Sequence, residues 1–302
     1  MLCALLATLT APAAGEIYRL SDPNDDVIGT PFYLRVDARQ TLLDIGRHYG
    51  LGFDEMQAAN PKVDMWVPKD GADVLIPAQH VLPAVERQGI VLNIAEKRVY
   101  YFHSPTEVES FAVGTGRDGW ETPVGSYKIV EKIKDPTWTP PESIRREHAA
   151  KGDILPAVVP AGPDNPLGAY AMRLDRGSYL IHGTNKPWGV GMQVSHGCVR
   201  MYPEDIERLF QRVEIGTPVT VINQPYKVGW LGDTLYLEAN AYKEEMRQWP
   251  LEKIVPPAIA TAEGVTVNWD EVRRVRDENA GLPRVVGGRH GSIKWHHLDM
   301  IF

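Results

Sequence analysis

The 302-residue chain has little cysteine, no surplus of positive charge and no long apolar run, and each shortage removes a class of protein. Only Cys3 and Cys198 are present, so a dense disulfide framework cannot stand in for a hydrophobic core. The 32 basic and 39 acidic residues sum to −7, which lacks the electrostatic footprint of a nucleic-acid binder. No stretch of ~18 apolar residues occurs, so a spanning helix is not expected. What the chain does have is 24 Pro and 27 Gly, a density of punctuation that predicts short strands and many turns rather than long helices. With 43% hydrophobic residues, a chain of this length holds roughly two domains of ~150 residues.

Residues 1–15 are apolar, carry no internal charge and end in the small-x-small triplet Ala11-Pro12-Ala13, the pattern of a cleaved secretory signal. No Lys or Arg precedes the run. Either translation starts upstream, or the segment is a buried N-terminal helix. Cleavage would remove Cys3 and leave Cys198 as the sole thiol, which in an oxidising compartment is either inert through burial or kept because it reacts.

Three units follow. Residues 32–78 read as strand, helix, helix, strand: Phe32 to Val36 is extended, and Thr41 caps a helix carrying Leu42, Leu43, Ile45 and Tyr49. A second helix with Phe53, Met56 and Ala59 stops at Asn60-Pro61, and Val74 to Ile76 closes the unit. From 89 to 223 the period is two. Ile90, Leu92 and Ile94 occupy one face of a hairpin whose return is Val99 to Phe102, with further strands at 110–113, 126–132, 169–174, 179–182 and 219–223. The fold class is mainly β: a β-sandwich or barrel-like catalytic domain with a small α/β module before it. Residues 137–166, broken by Pro, Gly and charge, read as a loop or flap over the sheet. Residues 224–302 form a mixed extension with a strand at 234–237, a helix at 239–248 and another from Asn268 to Asn279 ending at Gly281. His290, His296 and His297 in this extension suit surface or packing roles better than a metal site.

The segment that carries chemistry places His182 at the end of an apolar strand and, after twelve intervening residues, Ser195-His196-Gly197-Cys198-Val199-Arg200. Pro203, Glu204 and Asp205 then announce a helix, which puts Cys198 on a turn between strand and helix. A thiolate attacks where an imidazole can take its proton, and His182 and His196 compete for that role. Gly197 lets the N–H groups of residues 196–198 converge as an oxyanion hole. Zinc binding by His182, His196 and Cys198 is the alternative, but a His-Gly-Cys triplet is an unusual zinc pairing.

This constellation resembles the YkuD-type L,D-transpeptidases, whose signature is a His, a spacer and [Ser/Thr]-His-Gly-Cys followed by an apolar residue and Asn or Arg. The likeness extends to Thr122–Tyr127, Gly162–Leu174 and His182–Gly191, and the order of units looks like that of the periplasmic members in Gram-negative bacteria. Residues 32–78 resemble a LysM module, a binder of N-acetylglucosamine-containing glycans, with Asp37-Ala38-Arg39-Gln40 where the usual Gly-Asp turn stands.

The resemblance implies that Cys198 attacks a peptidoglycan stem tetrapeptide after its third residue and expels D-Ala. An amine would resolve the acyl-enzyme, either diaminopimelate in a 3-3 cross-link or a lysine of an outer-membrane lipoprotein. It implies His182 as base, Gly183 as its orienting carbonyl, and His196, Ser195 and Gly197 as shapers of the turn. Arg200, Thr184, Tyr170 and Trp188 are the candidate substrate-binding residues. Stem peptides and glycan strands are the implied partners, and neither a metal nor an organic cofactor is implied. Two alternatives stand beside this reading: an L,D-carboxypeptidase using water on the same acyl-enzyme, and a non-catalytic wall-binding protein.

Overall fold

A computed structural model describes Gly15, residues 17–37 and residues 39–291. The expected leader, Cys3, His296 and His297 lie outside the described residues. Among the described residues, no helix is long and apolar enough to cross a membrane.

The N-terminal part contains β1 (Tyr18–Arg19), β2 (Val27–Gly29), β3 (Phe32–Arg35), α1 (Leu42–His48), α2 (Phe53–Ala59), β4 (Asp73–Ile76) and β5 (Gln79–Val81). Thr41 and Asp44 form a reciprocal capping box that starts α1. Buried Asn60 ends α2 and staples it to β4: its amide donates to the Met56 and Leu75 carbonyls, and its oxygen accepts from Leu75 N–H at 2.8 Å. Strands β3 and β4 pair antiparallel over Leu42, Ile45, Met56 and Ile76.

The central part contains β6 (Gly89–Asn93), β7 (Arg98–Ser104), β8 (Glu107–Gly116), β9 (Gly125–Lys134), α3 (Glu142–Ala150), β10 (Tyr170–Leu174), β11 (Leu180–His182), β12 (Gln193–Ser195), β13 (Val199–Met201), α4 (Pro203–Arg212) and β14 (Pro218–Ile222). Instead of two separate sandwich sheets, one sheet closes on itself in the order β8-β13-β11-β10-β9-β14-β6-β7 and back to β8. Closure depends on the two ten-residue strands, which change partner midway. β8 pairs with β7 through Ala112 and with β13 from Val113, and β9 passes from β14 to β10 at Lys128/Ile129. The hairpin β6–β7 is buried on both faces, which the alternating pattern did not anticipate. Ile90 and Leu92 join the interior core, and Val91 packs with Tyr100, Phe102 and Ile28 outside it. The flap at 137–166 also holds a helix, α3.

The C-terminal part contains β15 (Tyr226–Leu231), β16 (Thr234–Ala239), α5 (Glu244–Arg247), α6 (Leu251–Ile254), α7 (Pro257–Ala260), β17 (Val265–Val267), α8 (Trp269–Glu278) and β18 (Arg284–Arg289). The expected helix at 239–248 is replaced by the end of β16 and the single turn of α5. The reason is that Leu235, Leu237 and Ala239 alternate into a core shared with Val272 and Val275 of α8. Asn268 caps α8, and Asn279, with φ +47, ends it two residues before Gly281.

The three parts meet around Lys227, whose ammonium is fully buried between the carboxylates of Glu96 and Glu238. Lys227 Nζ also lies 3.1 Å from Tyr100 Oη, and Glu238 accepts from the Val81 N–H at 2.7 Å. His80, Glu96 and Glu238 converge closely enough to suggest a cation site, but the ammonium of Lys227 already sits between the two carboxylates. Lys227→Ala should therefore cost about 3–5 kcal/mol by leaving two carboxylates buried without their cation. Urea unfolding is the check; an unchanged midpoint would contradict the assignment.

Candidate active site

Strands β11 and β13 run parallel, with Ile181 opposite Val199 and His182 opposite Arg200. Cys198 directly precedes β13, and β12 and β13 flank its turn. The nucleophile candidate therefore sits between two strands, and α4 begins only after β13, at Pro203. The turn is built around Gly197, whose φ is +98 and where an added Cβ would lie 2.9 Å from the Tyr179 ring. Ser195 Oγ donates to the Cys198 carbonyl at 2.6 Å and accepts from Gly197 N–H at 3.2 Å, while Thr122 Oγ1 donates to the Gly197 carbonyl at 3.0 Å. Because its N–H is engaged by Ser195, Gly197 does not supply one of the three expected oxyanion donors.

His182 is 4% exposed, and its Nδ1 donates to the Gly183 carbonyl at 2.6 Å. A carbonyl can only accept, so this bond fixes the proton on Nδ1 and leaves a lone pair on Nε2. Burial, reinforced by the nearby Arg200 charge, lowers the imidazole to about 4, so it is neutral at pH 7. Burial also pushes the Cys198 thiol up, against the smaller opposing effects of the Leu180 N–H and Arg200. Both groups are therefore uncharged at neutral pH, the imidazole on the strand that pairs beside the cysteine turn.

A cavity of about 370 Å³ opens on Cys198. Its walls include Ala171, Arg173, Tyr179 and His196, and Trp138 and Ile144 of the flap. His196 does not compete for the thiol proton: its Nε2 lies 2.8 Å from Glu147 Oε2 on α3 and 3.0 Å from Arg117 Nη2. Trp120 packs against its ring. Hydrogen bonds from Arg117, Lys151 and His196 hold the Glu147 carboxyl well below the usual carboxylate range.

The four residues expected to bind substrate do not line this cavity. Thr184 Oγ1 accepts from Lys186 N–H within its own turn. Tyr170 donates to Glu207 and packs on Phe210. Trp188, 55% exposed, faces a separate crevice with Trp66 and Phe53. Arg200 points toward Gly189, with its Nε buried and unpartnered, and acts on His182 and Cys198 through its charge. Arg117, Glu147, Arg173 and Tyr179 were missed. Only the polarity of the flap signalled that something there mattered.

Two titrations follow. Because His182 has a folded pKa of about 4 against ~6.5 unfolded, the unfolded chain takes up its proton first as pH falls. Stability supplied by neutral His182 is full above pH ~6.5 and is lost toward pH 4, to a limit of about 3 kcal/mol. The difference in unfolding free energy between wild type and His182→Gln should shrink across that window. Taking the difference separates His182 from Asp205, which burial raises to about 7 and which runs the other way. Alkylation of Cys198 by iodoacetamide should keep accelerating above pH 9; a plateau below pH 7 would show a preformed thiolate instead.

Residues 87–221 match the L,D-transpeptidase catalytic domain. The chain is 38% identical over 286 residues to the Salmonella typhimurium protein named "Probable L,D-transpeptidase ErfK/SrfK", covering 91% of this chain and 92% of that one. It is 39% identical over 290 residues to the Escherichia coli protein named "Probable L,D-transpeptidase YbiS", covering 93% of each. Identity reaches 41% over 231 residues with E. coli "Probable L,D-transpeptidase YcfS", covering 74% of this chain and 72% of that one. With relatives this similar along nearly its whole length, and with His182 and the Ser195–Arg200 turn inside the matched domain, the chain belongs to the YkuD-type L,D-transpeptidase family.

Proposed function

We propose that the protein is a periplasmic L,D-transpeptidase that acts on peptidoglycan stem tetrapeptides through an acyl-enzyme on Cys198. The observation that carries this reading is the bond from His182 Nδ1 to the Gly183 carbonyl, which leaves Nε2 unprotonated in the strand paired beside the Cys198 turn. As Sγ attacks the carbonyl carbon of the third stem residue, its proton passes to His182 Nε2. The N–H groups of His196 and Cys198 are the remaining candidates to receive the oxyanion. Collapse of the intermediate breaks the amide bond, and the departing D-Ala nitrogen takes the proton from His182, leaving a thioester. An acceptor amine then attacks the thioester carbonyl and gives a proton to His182, which returns it to the leaving sulfur.

Arg200 acts on the two groups in opposite senses. Its charge opposes a resting imidazolium and stabilises the thiolate when it forms and departs. The acceptor is either diaminopimelate or a lipoprotein lysine. The 32–78 unit is proposed to bind glycan, and residues 1–15 to direct export. The three domains of this reading are 32–78, 89–223 and 224–302.

Incubation with a disaccharide-tetrapeptide, alone and with a lipoprotein C-terminal peptide, should give a condensation product by mass spectrometry. Cys198→Ala should reduce its formation by roughly a thousandfold or more. Release of D-Ala without condensation would make the enzyme a carboxypeptidase, and no product of either kind would favour the wall-binding scaffold. Trp66→Ala should weaken retention of the protein by sedimented sacculi; unchanged retention would count against glycan binding by the 32–78 unit.

A further inference from the structure

The flap over Cys198 is tied firmly at its neck and lightly at its tip. At the neck, Trp138 and Val159 exchange two backbone hydrogen bonds of 2.9 and 2.8 Å, and the Asn165 amide donates to the Pro136 and Pro160 carbonyls. At the tip, α3 buries only Ile144, too little apolar surface to hold a nine-residue helix in place. What spans the cavity from the tip is the carboxylate of Glu147, which reaches Arg117 Nη2 at 2.5 Å and His196 Nε2 at 2.8 Å.

Those two partners belong to the fixed wall. Arg117 follows β8, and its backbone N–H donates to the Ser195 carbonyl at 3.0 Å. His196 is part of the cysteine turn, is held edge-on by Trp120 and lines the same cavity as Cys198. A guanidinium and an imidazole thus converge on one carboxylate oxygen, an arrangement that selects for a carboxylate and gives little to a neutral amide. Glu147 also has a partner to keep when it leaves: Lys151, one turn along its own helix at 2.8 Å. Glu147 and its partners are partly solvated, so exchanging one carboxylate for another costs little.

We propose that Arg117 and His196 form a carboxylate receptor on the rim of the Cys198 cavity, filled by Glu147 when the flap is shut and by the carboxylate of an incoming peptide when it opens. Glu147 is then a positioning residue that closes the site. Displacement by an acidic ligand couples peptide arrival to flap opening. The identity of the ligand as a stem peptide rests on the transpeptidase reading. The latch does not, and its test reads no turnover, so the two can fail separately.

The experiment uses full-length wild type, Glu147→Gln and Arg117→Gln. It follows hydrogen exchange of residues 141–158 and the rate of iodoacetamide modification of Cys198 at fixed pH. Each is measured with N-acetyl-D-alanine, with its C-terminal amide, and with neither, at matched ionic strength. Glu147→Gln should speed both exchange and modification by up to about fivefold, the upper range for a solvated ion-pair cluster. In wild type the acid should raise exchange of the flap and the amide should not, an arm that needs no variant to fold. Arg117→Gln should exchange fast whether or not the acid is present. Wild-type rates in Glu147→Gln, or equal effects of acid and amide, would overturn the proposal.

Discussion

The parallel pairing of β11 with β13 is the constraint on which the site depends. Parallel neighbours cannot be joined by a tight turn, because the chain must leave the end of one strand and return to the start of the next. The residues between His182 and Ser195 make that return, and the spacing between the histidine and the cysteine motif is its length. The connection is not idle. Its middle, Pro187–Gly191, packs against the start of α2, where Phe53 N–H donates to the Val190 carbonyl at 3.1 Å, and its end becomes β12 on the edge of β8. Only after this excursion does the chain form the Gly197 turn and bring Cys198 beside the strand that ends in His182.

Burial then decides the charge state of the pair. Removing a thiol and an imidazole from water disfavours thiolate and imidazolium alike, and Arg200 adds a positive charge that weighs further against the imidazolium. The two effects agree on His182 and oppose each other on Cys198, where burial wins. In the proposed cycle, proton transfer from sulfur to nitrogen is uphill until a carbonyl carbon accepts the sulfur's electrons. A cysteine's pKa is depressed where the cation beside the thiol is an imidazolium or an exposed base. Here the cation is two residues further on, in the strand that the cysteine precedes.

Much of the fold was legible because short strands carry strong local marks: β-branched and aromatic residues bounded by Gly and Pro. The chemical motif was legible because few other roles require Ser-His-Gly-Cys in a tight turn. What stayed hidden was non-local or lacked a period. In α3 a single buried isoleucine cannot set a helical stripe among charged neighbours, so the segment read as loop. The alternation of Leu235, Leu237 and Ala239 was cut short by a helix reading because the partner strand β18 lies far along the chain. Trp188 read as a substrate contact because the stretch His182–Gly191 resembles the family. Yet the excursion that joins β11 to β13 carries it to the far side of the loop, against α2. Arg117 and Glu147 become neighbours of His196 only after the flap folds across the cavity, a contact no spacing in the sequence encodes.

The N-terminal unit is docked on the central sheet and α4 by directional contacts. Arg47 meets Glu204 through two hydrogen bonds of 2.7 and 2.8 Å, Tyr202 donates to the Leu51 carbonyl at 3.0 Å, and Arg98 pairs with buried Glu55. Gly52 and Gly191 approach so closely that a Cβ on the first would stand 2.6 Å from the Cα of the second. A module held by this many directional contacts fixes orientation as well as proximity. The crevice holding Trp66 and Trp188 is therefore set at a constant angle to the Cys198 cavity, joined to it by the same connection that separates His182 from Ser195. Any polymer seated in that crevice would present its side branches to the cavity at one spacing rather than many. The length of the β11–β13 connection consequently bears on two geometries at once: the placement of the His182 strand beside the cysteine turn, and that of the N-terminal unit against both.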